Sequence, residues 1–174
     1  MIVIRQMAKE ELSPGRIAEI DVSESGGIVY RYADGDINST SEVWHRPRWD
    51  SEKCTNLSEG WFAQSLRGDV ILGAFDEDLL VGISILRYEL TDSMAQLDAL
   101  FVSRHYRRRG IAARLTQEII RLAKESGARE LYVSATPSES AVGFYKSQGF
   151  RLAERVNKEL YALEPKDIHM IRQL

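Results

Sequence analysis

Between residues 97 and 126 the chain passes from an apolar run to a polar turn, then to basic residues, a glycine and a long amphipathic stretch. Leu97-Asp98-Ala99-Leu100-Phe101-Val102 reads as a strand, with Asp98, Leu100 and Val102 on one face and Leu97, Ala99 and Phe101 on the other. Ser103-Arg104-His105-Tyr106 is a turn, and Arg107-Arg108-Arg109-Gly110-Ile111-Ala112 follows it. Ile111, Leu115, Ile119 and Leu122 then recur at helical spacing, and Gly127 stands where a helix-ending glycine belongs. A strand–loop–helix junction aims free backbone N–H groups and a helix dipole at one point, which attracts an anion. Gly110 lets backbone approach closely, Ala112 and Ala113 keep the first turn open, and the arginines add positive charge. The junction suits a pyrophosphate-like group. A solvated basic loop and a nucleic-acid patch are the other readings of the same residues. Neither G-x-G-x-x-G nor G-x-x-x-x-G-K-[ST] occurs.

A formal net charge of -3 argues against general nucleic-acid binding and leaves room for a cationic substrate. The single cysteine, Cys54, excludes an intramolecular disulfide and a multi-cysteine zinc site, and reads as an incidental thiol. No apolar run reaches the roughly 18 residues of a membrane span. The N-terminus lacks a secretory layout. These features predict a soluble cytoplasmic protein, with no membrane and no nucleic acid among its partners. With 174 residues, no repeats and no linker, residues 1–174 read as a single domain.

The remaining elements follow from pattern. Residues 2–4 form a short strand. Ser13-Pro14 caps a first helix with Ile17, Ala18 and Ile20 on its apolar side, and residues 21–27 end it. Residues 28–32 are a strand, and Ala33-Asp34-Gly35-Asp36 is a tight turn. A polar return ends at Trp44-His45-Arg46-Pro47-Arg48-Trp49. A second helix is predicted over 57–67, burying Leu57, Trp61, Phe62 and Leu66. Strands at 70–75, 79–88 and 95–102 have short linkers and make an antiparallel meander. After the helix at 109–126 comes a strand at 130–135. Thr136-Pro137-Ser138-Glu139 then starts a helix that runs to 147, with Thr136 as its cap. Strands at 150–153 and 167–172 close the chain and can pair. This order reads as one α/β domain.

Two stretches carry a resemblance. Arg107-Arg108-Arg109-Gly110-Ile111-Ala112 matches the R/Q-x-x-G-x-G/A signature of the GNAT (GCN5-related N-acetyltransferase) superfamily. Ser138-Glu139-Ser140-Ala141-Val142-Gly143-Phe144-Tyr145-Lys146-Ser147-Gln148-Gly149-Phe150 resembles its N-x-x-A-x-x-x-Y-x-x-x-G-F motif, with serine at 138 where asparagine is common. The likeness is clear over residues 70–155. It implies the α/β (α+β) GNAT acyl-CoA N-acyltransferase fold: a mixed, mostly antiparallel, splayed sheet flanked by helices. It implies acetyl-CoA as acyl donor, its pantetheine lying between two splayed strands. The backbone of Leu100, Phe101 and Val102 would pair with the pantetheine. Arg107, Arg108, Arg109, Gly110, Ile111, Ala112 and Ala113 would surround the pyrophosphate, largely through backbone N–H groups. Ser138 is a further, shorter-reaching candidate on the cofactor. A homodimer is consistent with the superfamily.

The implied reaction moves an acetyl group to a primary amine of a small molecule by direct attack through a tetrahedral intermediate. The alternatives are acetylation of protein lysines or N-termini, and a non-catalytic acyl-CoA sensor. The amine must lose a proton, an oxyanion needs a donor, and the thiolate leaving group needs a proton. The resemblance gives the last role to Tyr145, whose ordinary pKa keeps it protonated at neutrality. A backbone N–H near Phe101 or Val102 is the oxyanion donor. Asp98 is a candidate base, with Glu24 beside Asp21 as a second. The acceptor side implied by the family contains Asp21, Glu24, Tyr30, Trp44 and Trp49; the two tryptophans otherwise anchor a loop to the core. His45, His105 and His169 read as scattered surface residues and make no metal-ligand pattern, so no metal is expected.

Overall fold

The computed structural model describes residues 1–33, 35–61 and 69–174. Its elements are β1 (Ile2–Met7), α1 (Pro14–Ala18), β2 (Glu24–Ala33), β3 (Asp36–Arg46), α2 (Ser51–Asn56), β4 (Val70–Asp76), β5 (Leu79–Thr91), β6 (Met94–Val102), α3 (Ile111–Glu125), β7 (Glu130–Ala135), α4 (Glu139–Ser147), β8 (Arg151–Leu152), α5 (Lys158–Leu163) and β9 (Ile168–Gln173). Seven strands form one sheet in the order β1-β4-β5-β6-β7-β9-β8, and β2 with β3 forms a separate hairpin. The 70–102 meander is antiparallel as its short turns require. Strands β6 and β7 are parallel because α3 crosses over between them.

Helix α3 buries Ile111, Leu115, Ile119 and Ala123 against the sheet, one per turn. Each such burial contributes about 1.5–3 kcal/mol for the larger side chains. That core also takes Leu97, Val133, Tyr145 and Phe150, so α3 and α4 cover one face. The other face packs Ile17, Ile20 and Cys54, from α1, the turn after it and α2, on Ile71, Ile83 and Ile85. A smaller cluster joins Leu160 of α5 to Tyr132 and Ile171. Among the described residues no helix is long and apolar enough to cross a membrane.

Several local expectations are corrected. Ile85 pairs with Ala99 and Leu86 with Leu97, so Asp98 is an extra residue on β6, a β-bulge. The bulge breaks the alternation: Leu97 packs in the same core as Leu100 and Val102, while Ala99 packs with Phe101 in the other. Asp98 therefore does not simply share a face with Leu100 and Val102. The cap of α4 is Ser138, whose hydroxyl accepts from the Ala141 N–H, and not Thr136. Glu24 already belongs to β2 and does not end a helix. The second helix begins earlier, where Asp50 caps the Lys53 N–H, and a π turn Leu57–Trp61 continues it. Phe62 and Leu66 of that expectation, and the Trp61 side chain, lie outside the described residues. The strand expected at 150–153 is reduced to Arg151–Leu152, and α5, capped by Asn157, was not expected. His169 is wholly buried, contrary to its surface reading.

Candidate active site

Strands β6 and β7 pair only through Met94/Glu130, Ala95/Leu131 and Gln96/Tyr132. Beyond Gln96 they share no ladder, although β6 continues to Val102 and β7 to Ala135. The two strands thus open as a V whose arms present unpaired backbone to the gap. On the β6 arm the parity is set by Ser103, whose N–H donates to the Val81 carbonyl at 2.8 Å. Counting back, Phe101 faces β5 opposite Ile83, while Val102, opposite Gly82, faces the gap. Leu100 shares the edge of Val102.

The gap ends at the turn before α3. Gly110 caps that helix at φ 76° with no side-chain cap bond, and Arg108 is also left-handed at φ 61°. The first-turn N–H groups of Ile111, Ala112 and Ala113 have no intrahelical acceptor. A Cβ at Gly110 would meet nothing within 4 Å, so its dihedral angle rather than crowding calls for glycine. The three arginines separate in their contacts. Arg109 lies over the Tyr106 ring at 5.0 Å, and Arg108 is exposed. Arg107 turns back: its Nε donates to the Val102 carbonyl at 3.0 Å, and its Nη1 stands 3.6 Å from Glu24 Oε2. Uncapped N–H groups and an open strand edge are the donors that a pyrophosphate and an amide-bearing pantetheine require, so this chain fits acetyl-CoA.

Tyr145 is 7% exposed, edge-on to Phe144 and Phe150 at 5.3 and 5.4 Å. Burial, reinforced by the charge of Asp167, pushes its hydroxyl well above the ordinary phenol range. Among the described residues no hydrogen bond engages that hydroxyl. Ser138 is buried, and its hydroxyl meets Ser140 Oγ at 3.1 Å besides capping α4.

The bulged Asp98 accepts from the Gln96 amide at 3.0 Å, just past the vertex of the V. Two carboxylates that sequence reasoning missed stand near the other arm. Burial and then the neighbouring Asp167 push Glu164 up to about 6, opposed by the Ser134 hydroxyl of β7 and raised further by Asp98. Burial alone pushes Asp167 up to about 6. Ser134 Oγ also lies 3.4 Å from His169 Nδ1, and His169 Nε2 lies 3.2 Å from the Glu164 carbonyl. Desolvation lowers the His169 pKa, which favours the neutral imidazole. The only sequence signal for Glu164 and Asp167 is a polar turn, Glu164-Pro165-Lys166-Asp167, ahead of a buried strand.

The hairpin residues divide. Both Glu24 oxygens are engaged: Oε2 by Arg46 at 2.6 Å and Oε1 by the Ser140 hydroxyl at 2.6 Å. Asp21 accepts the Ser23 N–H; the Ser23 hydroxyl first and then that N–H lower its pKa, and its backbone binds Ser103 and Arg104. Tyr30 donates its N–H to the Pro137 carbonyl at 2.9 Å, and Tyr32 its hydroxyl to the His169 carbonyl at 2.7 Å. Asp21 thus ties the chain to the end of β6, and Tyr30 and Tyr32 tie the hairpin to the β7 side. The Trp44 indole covers Gly26 and donates to the Ile28 carbonyl at 3.2 Å. Trp49 packs edge-on against Phe101 at 4.9 Å. Trp44 and Trp49 thus each have a packing partner within the fold. Among the described residues no group of three or more His, Cys, Asp or Glu is placed to hold a metal ion.

Comparison with known proteins gives this geometry a family. A profile of the acetyltransferase (GNAT) domain matches residues 52–161. No curated protein shows a significant sequence match. Among solved structures, a nourseothricin acetyltransferase aligns at TM-score 0.74 and 17% identity, over 99% of this chain and 98% of that one. A protein of Bacillus anthracis str. Ames described as a candidate streptothricin acetyltransferase, in complex with acetyl coenzyme A, aligns at TM-score 0.71 and 17% identity, over 100% and 98%. The PaiA N-acetyltransferase of Thermoplasma acidophilum, in complex with coenzyme A, aligns at TM-score 0.65 and 17% identity, over 100% and 99%. With the profile covering more than half of its residues, the chain belongs to the GNAT family of acetyl-CoA-dependent acetyltransferases.

Proposed function

We propose that this enzyme acetylates a primary amine of a cationic small molecule. The observation that carries this reading is the placement of carboxylates about the V. Asp98 stands on the β6 arm, Glu164 and Asp167 stand near the β7 arm, and the charges of Asp98 and Asp167 raise Glu164. Carboxylates that destabilise one another in this way favour a cation among them. The hairpin, tied to the β7 side by Tyr30 and Tyr32 and joined to the end of β6 through Glu24 and Arg107, supports a compact acceptor over an extended peptide. Two of the structures similar in fold are described as acting on nourseothricin and streptothricin, which agrees with a small acceptor.

Acetyl-CoA supplies an acetyl thioester, and this chain's groups do the rest. The first turn of α3 holds the pyrophosphate. The gap-facing edge at Leu100 and Val102 takes the pantetheine, and the Val102 N–H is aimed to meet the developing oxyanion. Asp98 and Glu164 receive the proton that the ammonium must lose, directly or through water. Tyr145, kept protonated by burial, donates to the departing thiolate. The test is a panel of mono-, di- and polyamines, amino sugars and short peptides with acetyl-CoA, following free thiol release. Turnover confined to peptides would overturn the small-molecule reading, and no binding of coenzyme A would overturn the whole.

A further inference from the structure

Glu24 and Arg107 occupy an unusual place for two charged residues beside a catalytic cleft, because each is committed to the fold. The Glu24 carboxylate gathers Arg46 of β3, the Ser140 hydroxyl at the start of α4, and Arg107 from the turn before α3. Its side chain is only 18% exposed. Arg107 in turn donates to the Val102 carbonyl at 3.0 Å, while the N–H of that same peptide, at Ser103, donates to Val81 at 2.8 Å. The 102–103 peptide is clamped at both ends, and its orientation fixes the adjoining Val102 N–H. On the far side, the hairpin that begins at Glu24 is bonded to Pro137 and His169.

We propose that Glu24 and Arg107 are a positioning pair: Glu24 locks Arg107 onto the Val102 carbonyl, so that seating of the hairpin on the acceptor side sets the Val102 N–H for acetyl transfer. Glu24 then takes no proton from the amine, and Arg107 is a strap on the β6 arm instead of a phosphate ligand. This inference rests on the proposal that the V receives acetyl-CoA and that the Val102 N–H faces the reacting carbonyl. Misplacing a donor by a fraction of an ångström lowers the rate without abolishing binding, because the pyrophosphate is held elsewhere.

The experiment uses the full chain with Glu24→Gln, Arg107→Met, the double variant and Arg107→Lys. It measures kcat, the amine KM, the pH–rate profile, and calorimetric binding of coenzyme A, with circular dichroism to confirm folding. Each single variant is expected to lower kcat about 10- to 100-fold. The Kd for coenzyme A and the amine KM should stay within about threefold. The double variant should be no slower than the slower single, because the two residues act in series. The Glu24→Gln profile should keep the wild-type shape at reduced height. Arg107→Lys keeps the charge but not the Nε geometry, and should fall with Arg107→Met; it also serves if Glu24→Gln does not fold. An unchanged kcat, multiplicative losses in the double variant, or disappearance of the acidic limb in Glu24→Gln would each overturn the pairing. A Kd for coenzyme A raised tenfold or more in Arg107→Met, with kcat held, would make Arg107 a phosphate ligand instead. A wild-type protein that does not bind coenzyme A would sink the proposed function itself.

Discussion

The hydroxyl of Ser140 donates to Oε1 of Glu24 at 2.6 Å, joining the first turn of α4 to the first residue of β2 across 116 positions of sequence. This bond holds the hairpin to the helix that carries Tyr145. A hydrogen bond to a charged group contributes more than a neutral one, but this pair has water access, which weakens it. Ser140→Ala is expected to lower stability by about 1 kcal/mol, read as a lower urea midpoint at unchanged slope. Ser140→Thr, which keeps the hydroxyl, should retain most of it. A Ser140→Ala midpoint identical to wild type would show that the bond contributes nothing in solution.

Tyr145→Phe separates the acid role from packing. The ring is buried between Phe144 and Phe150, and the phenylalanine fills the same space. Nothing among the described hydrogen bonds is lost with the hydroxyl, so stability should change little. A general acid contributes about 10²- to 10⁴-fold, and kcat should fall within that range. Affinity for coenzyme A should stay within about twofold of wild type. Since burial raises the tyrosine pKa, any alkaline decline in the wild-type rate near neutrality must come from another group. A Tyr145→Phe enzyme with wild-type kcat would remove the assignment.

The turn before α3 holds two left-handed residues of opposite suitability. Gly110, at φ 76°, has the residue its backbone requires, whereas Arg108, at φ 61°, does not. A non-glycine residue in this region costs about 1–2 kcal/mol. Gly110→Ala should destabilise by that order and weaken coenzyme A binding, because relaxation of the dihedral angle moves the anion-binding N–H groups. Arg108→Gly relieves the strain but frees the unfolded chain, so its net effect should be near zero or mildly stabilising, by up to about 1 kcal/mol. Thermal unfolding of both variants, with calorimetry for coenzyme A, checks the contrast. Equal losses in the two would mean that the dihedral angles are not the controlling feature.

The strand–turn–helix frame of the candidate donor site was legible in sequence because it is built from local features. A glycine between basic residues and a periodic helix states where free N–H groups must lie, and Tyr145 falls within a helix whose start was legible although its cap is Ser138 and not Thr136. The meander was legible for the same reason, its turns being short. The acceptor half was not, because it depends on contacts between distant segments. Nothing around Glu24 announces that Arg46, Arg107 and Ser140 converge on it. The bulge at Asp98 leaves no mark in a run that alternates acceptably, yet it reverses the faces of the residues before it. His169 looks like any strand histidine until Tyr132 and Ser134 of β7 and Tyr161 of α5 pack around it. Glu164 and Asp167 lie in a turn of ordinary composition, and only the return of β9 beside β7 brings them to the cleft.

Those two carboxyls make the acceptor side pH-dependent. Burial raises Glu164 from 4.5 to about 6, with help from Asp167, and raises Asp167 from 3.8 to about 6. The folded protein therefore holds more protons than the unfolded chain between those limits, so their stabilising contribution is full below about pH 4 and is lost as pH rises through about 6. A bound ammonium group reverses the balance by favouring the ionised carboxylates, with Asp98 as the third negative neighbour and desolvation disfavouring a charge on His169. Amine binding should then tighten as pH rises through about 6 and release protons to buffer. Glu164→Gln should remove part of that rise, weaken the amine KM by about tenfold, and flatten the decline of stability over the same interval. The check is kcat/KM for the amine from about pH 5 to 8, beside calorimetry in buffers of different ionisation enthalpy. An amine affinity independent of pH over that range, in wild type and variant alike, would take Glu164 and Asp167 off the acceptor side.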